Sequence, residues 1–114
     1  MLPSNSAVYL YSGTVDMRVS FDRLCEKIKS ELKRSVIAGG LFVFFSRCRK
    51  RVKILYWNRD GYCLWYKRLE AGTFKIEKTE SYEEVEYVDL ELLLKGIEFS
   101  RIKLQKSSEK GLYV

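Results

Sequence analysis

The sequence predicts an α+β fold: a small antiparallel β-meander of about four to five strands, with an N-terminal amphipathic helix packed on one face and a short C-terminal helix. Three observations predict it. Phe21, Leu24, Cys25, Ile28 and Leu32 recur at i, i+3, i+4, i+7 and i+11, the apolar stripe of a single helix. "LFVFF" (41–45), the alternating "RVKILYW" (51–57), the turn "NRDG" and the return run "YCLWYKRL" (62–69) follow in close succession, as paired strands rich in aromatic and β-branched residues do. Leu90, Leu93, Leu94 and Ile97 then return to helical spacing behind Asp89.

Each element has a local reason. "AVYLYSG" (7–13) is a short strand that ends at Gly13. Asp16 or Ser20 can cap the first helix, whose solvated face carries Arg23, Glu26, Lys27, Lys29, Glu31 and Lys33, and Gly39-Gly40 stop it. The unbroken apolar run 41–45 suits a buried strand. In 51–57 the period of two puts Val52, Ile54 and Tyr56 on one face and Arg51, Lys53, Leu55 and Trp57 on the other. Gly61 in "NRDG" can take positive φ in a hairpin turn. Gly72 marks another turn and "TFKI" (73–76) a further short strand. Asp89 caps the last helix, and Gly96 can end it. Residues 1–100 are read as one domain and 101–114 as a basic, flexible tail.

Composition excludes several chemistries. The 114 residues contain no histidine, which removes His-based triads, His-ligated metals and the usual proton shuttle. Cys25, Cys48 and Cys63 have no metal-type spacing and are odd in number, so they read as reduced thiols. Cys48 sits in a basic run that favours its thiolate, but it has no base or second cysteine at useful spacing. No run approaches the roughly 20 apolar residues that span a bilayer, and the N-terminus lacks the basic and apolar regions of a signal peptide. The expectation is a cytoplasmic chain with no membrane partner. The acids at Glu77, Glu80, Glu83, Glu84 and Glu86 form one local run, whereas a metal-dependent phosphoryl-transfer site needs carboxylates converging from separate elements. No catalytic residue, metal site or cofactor is expected.

The net charge of +6 is distributed unevenly. Residues 41–59 hold six Lys/Arg and no acid, and residues 77–98 hold eight acids against Lys78 and Lys95. The basic hairpin could grip a phosphate backbone through Arg47, Arg49, Lys50, Arg51, Lys53, Arg59, Lys67 and Arg68, with Trp57 on the same grip face as Arg51 and Lys53. Aromatics on a sheet can also stack unpaired bases, although Tyr56, Trp57, Trp65 and Tyr66 suit the core better. The acidic strip, with Glu83, Glu84 and Glu86, suits a protein partner. Two readings follow: a DNA-binding module, or an adaptor that docks another protein through the acidic segment and the C-terminal helix.

Certain residues carry a family resemblance. "VDMRVSFDRL" (15–24), "GLFVFFSRCRKRVKILYWNRDGYCLWYKRLEAGTF" (40–74) and "LELLLKGI" (90–97) resemble the TnpB-type accessory protein of insertion sequence 66 elements, encoded by their second open reading frame. In that family an "LFVF" strand leads through an Arg-rich turn to "LYW", a Gly turn and "LWYKRLE". The family's "DMR" precedes Lys-Gly, where this chain has Val19-Ser20. The resemblance implies a bacterial mobile-element protein that assists transposition without catalysing it. Its implied partners are DNA, at element ends or target, and the separate transposase and other proteins of the same element.

Overall fold

The computed structural model describes residues 2–99, 101 and 102. The elements run β1 (Val8–Thr14), α1 (Phe21–Leu32), β2 (Leu41–Phe45), β3 (Arg51–Asn58), β4 (Gly61–Arg68), β5 (Tyr82–Val85) and α2 (Tyr87–Leu94), with one 3-10 turn at Val36–Ala38. The five strands form one sheet in the order β4-β3-β2-β1-β5. The α+β class, the strand number and both helices match the expectation.

The sheet is mixed, however, rather than wholly antiparallel. β2, β3 and β4 make the expected meander. β1 lies parallel to β2, because α1 crosses the sheet between them. β5 pairs antiparallel with the other side of β1. The fifth strand is thus Tyr82–Val85, and 73–76 is not a strand. Its alternation has another cause: Phe74 is buried and Ile76 packs beside it, both reaching the core from a loop. The Phe74 N–H is held by the Arg49 carbonyl at 2.7 Å.

Both faces of the sheet are covered, which explains why "LFVFF" shows no alternation. On one face Val8, Leu10, Leu41, Val43, Phe45, Val52 and Ile54 meet Leu90 and Leu93 of α2, along with Phe74, Phe99 and Ile102. On the other, Tyr9, Tyr11, Phe42, Phe44 and Leu55 meet Leu24 and Ile28 of α1 and Val36. The packed chain therefore reaches residue 102, and the remainder of the expected tail lies outside the described residues.

Helix ends follow side-chain chemistry. Ser20 is the N-cap of α1, its Oγ accepting from the Arg23 N–H at 3.4 Å. Asp16 instead closes a local turn, accepting from the N–H and guanidinium of Arg18 at 2.9 and 2.7 Å. α1 stops at Lys33 (φ 58), short of Gly39-Gly40, and the 3-10 turn then buries Val36. α2 begins earlier than Asp89. Glu86 is its N-cap, and Asp89 reaches back to the Glu86 N–H at 2.8 Å, completing a capping box.

Candidate nucleic-acid interface

The basic run begins in the β2–β3 connection. Ser46 and Arg51 close it: the Ser46 N–H donates to the Arg51 carbonyl, and the Arg51 N–H donates to Ser46 Oγ, both at 3.0 Å. Within it, Arg49 adopts a left-handed backbone (φ 61). That reversal sends its side chain inward while Arg47, Cys48 and Lys50 stay exposed. The Arg49 guanidinium donates to the carbonyls of Ser12 (2.6 Å) and Gly13 (3.2 Å). These carbonyls lie where a register shift interrupts the β1–β2 ladder, and the guanidinium supplies the donors the ladder does not. Gly13 has no room for a side chain, since a Cβ there would stand 2.5 Å from the Tyr11 ring. Burial pushes the Arg49 guanidinium below its usual range.

Lys53 is buried too. Its ammonium donates to the Met17 carbonyl, and burial lowers its pKa, with Asp16 opposing. Arg49 and Lys53 are therefore structural cations and leave the set of phosphate anchors. The expected grip face is also corrected. Directly paired residues share a face, and Lys53, Leu55 and Trp57 lie opposite Tyr66, Leu64 and Tyr62. Leu55, with Trp57 and Leu64 packed beside it, belongs to the cluster that α1 covers. The helix thus occupies the face expected to be free. Trp57 is half-buried there, and Trp65 is half-buried on the α2 side.

What remains exposed is a corner. β3 begins at Arg51 and β4 ends at Arg68, and these two are direct cross-strand partners. Two like charges face each other at the closest sheet spacing, an arrangement that disfavours the fold by a few tenths of a kcal/mol or more. The Leu69 N–H bonds the Lys50 carbonyl at 2.7 Å, which draws Lys50 to the same corner. Lys67 is exposed on the opposite face of β4. Arg68 touches Glu70 at 3.1 Å, with both side chains more than half exposed, so that pair neutralises little. No ion pair is recorded for Arg47, Lys50, Arg51, Arg59 or Lys67 among the described residues. Arg59 stands alone at the hairpin tip, where it, and not Gly61, takes the positive φ (57).

The acidic strip is at the far side of the sheet. Glu83 and Glu84 belong to β5, the edge opposite β4, and Glu86 caps α2. The glutamates therefore do not neutralise the basic corner. Among the described residues, no group of three or more His, Cys, Asp or Glu could hold a metal ion. Among the described residues, no helix is long and apolar enough to cross a membrane. The exposed Cys48 thiol is shifted down, chiefly by the Ser46 hydroxyl at 3.4 Å.

The model of the IS66 Orf2-like family matches residues 6–104. The chain belongs to the IS66 Orf2-like family. Membership implies an accessory role in transposition. The chain is 34% identical over 102 residues to the uncharacterized protein y4hO of Sinorhizobium fredii, covering 87% of this chain and 89% of that one. A second protein of the same organism, the uncharacterized y4jC, is 28% identical over 90 residues, covering 78% and 77%. No solved structure matches the chain. In this IS66 Orf2-like protein, the conspicuous Arg-rich turn is thus divided between one inward cation, Arg49, and outward ones. Sequence reasoning missed one exposed ring, Tyr62, weighed Tyr66 chiefly as core although it is exposed, and passed over the cations of α1. The alternation of "YCLWYKRL" did place both tyrosines on one face, but the cover over that face was not legible.

Proposed function

We propose that this IS66 Orf2-like protein is a non-catalytic DNA-binding factor that holds phosphate backbone at the corner where β3 begins and β4 ends. The observation that carries this reading is the Arg51–Arg68 pair, two exposed arginines that are direct cross-strand partners where β3 meets the edge strand β4. A fold gains nothing from that opposition, whereas a phosphate between the two would relieve it and accept from both. Arg47 and Lys50 extend the positive corner, and Lys67 adds to it from the other face of the edge strand. Five such contacts give a slope of roughly −4.5 in log K against log salt on duplex DNA. Fluorescence anisotropy at several salt concentrations tests this; salt-independent binding, or none, rejects it.

A second reading, docking of the transposase, is favoured by one observation. β5 is an edge strand that carries its acids away from the basic corner, and edge strands accept partner strands. DNA and protein would then be held at opposite rims of one sheet. Glu84→Lys should weaken capture of the transposase in a pull-down while DNA affinity holds. Equal loss of both would reject separate surfaces.

A further inference from the structure

We infer that the α1 side of β4 is a platform for unpaired nucleotides, so that the strand held at the basic corner continues as single-stranded DNA along the hairpin. This rests on the DNA-binding reading above and adds to it the kind of DNA.

Tyr62 and Tyr66 are 38% and 46% exposed and lie on one face of β4, four residues apart. At about 3.4 Å per residue their Cα atoms are roughly 13–14 Å apart. α1 covers β3 on this face through Leu55 and reaches Tyr62 through Phe21 and the Cys25 thiol, while Tyr66 and part of the Tyr62 ring stay open to solvent. Tyr62 is braced by two neighbouring rings. Trp57 meets it edge-on, with centroids 5.0 Å apart and planes at 79°, and Phe21 lies 6.4 Å away at 30°. A ring so held loses little freedom when a base stacks on it, and stacking tolerates any base.

Cations stand at each end of this strip, alongside Asp22 at the Tyr62 end. Arg51 and Arg68 flank Tyr66. Beyond Tyr62 opens a groove of about 1330 Å³ beside α1, bordered by Arg23, Lys29 and Lys33, with Glu26 as its one acid. Cation, ring, ring, cation is the order a single strand needs, with phosphates at the ends and bases turned onto the aromatics. A duplex keeps its bases stacked inside and could use only the cations. An acidic peptide would likewise be drawn by charge and would not need the rings.

The test compares an unpaired oligonucleotide of about 15 nucleotides with its duplex, by anisotropy on the full chain. Tyr62→Leu and Tyr66→Leu should each weaken single-strand binding roughly 5- to 100-fold and leave duplex binding within about twofold, whereas Tyr→Phe at either site retains affinity. Both side chains are exposed, and an unchanged thermal melt confirms that each variant folds. If the Leu variants bind single strands as well as the parent does, or lose both DNA forms equally, the platform is overturned while the phosphate corner stands. The platform is also overturned if a polyglutamate peptide binds the parent as tightly as the oligonucleotide and loses affinity equally in the Leu variants. If neither DNA form binds the parent chain, both readings fall.

Discussion

Arg49 and Arg51 stand two residues apart in one basic run, yet their surroundings are opposite. Arg49 turns inward on a left-handed backbone, lies buried, and spends its guanidinium on two carbonyls of β1. Arg51 opens β3, points outward, and faces another arginine. The same residue type thus closes the fold in one place and leaves a charge unanswered in the other. Cation density in a sequence marks both uses. Only the backbone and the neighbours separate them.

The largest effect that could break this comparison is at Arg49. Arg49→Leu removes two charge-assisted bonds and leaves the Ser12 and Gly13 carbonyls without donors, and the expected loss is about 3 kcal/mol. Urea denaturation should show a lower midpoint at unchanged m, with DNA affinity per folded molecule preserved. A stable variant that loses DNA binding would reverse the assignment. Next comes the pair Arg51→Ala with Arg68→Ala. Losing two phosphate contacts should flatten the salt slope by roughly 1.8, while relief of the like-charge opposition leaves stability equal or higher by about 0.5 kcal/mol. A double variant that unfolds would make this pair structural as well.

The opposite edge supplies a control by pH. Tyr82 donates to Glu31 Oε1 at 3.2 Å, and its pKa is raised, first by burial and then by the Glu31 carboxylate. The folded chain therefore favours the neutral phenol. Its contribution is fully present below pH 10, the ordinary phenol value, and is lost as pH rises above that. Thermal melts from pH 8 to 11 should show a decline that Tyr82→Phe lessens; an identical decline in that variant would assign the loss elsewhere. The smallest effect sharpens the comparison at a third cation. Arg59 is exposed like Arg51 but left-handed like Arg49. Arg59→Gly should raise stability by about 0.5–1 kcal/mol, read as a small upward shift in melting temperature. No shift would mean the tip backbone is unstrained.

Much of the fold was legible because apolar periodicity reports burial directly. The stripe from Phe21 to Leu32 marked α1, and "NRDG" between two runs marked the β3–β4 hairpin. Strand order was not legible. That β1 lies parallel to β2 depends on where α1 lands, which no local pattern encodes. Segments 73–76 and 82–85 show how alternation misleads: Phe74 and Ile76 alternate because a loop packs on the core, whereas the glutamates of β5 conceal a strand at an edge. For the site, charge located the basic corner. It could not show that Lys53 would find the Met17 carbonyl, or that α1 would pack on the face of Trp57 and leave Tyr66 and part of Tyr62 exposed. Those outcomes belong to the packing of distant segments.

The order β4-β3-β2-β1-β5 has a consequence for how the protein is made. β1 emerges from the ribosome before the other four strands, yet its outer neighbour arrives only at Tyr82–Val85. Until then its outward N–H and C=O groups form an open rim to which a nascent neighbour could add. Rapid completion of synthesis, or a chaperone on that rim, would protect the growing chain from aggregation.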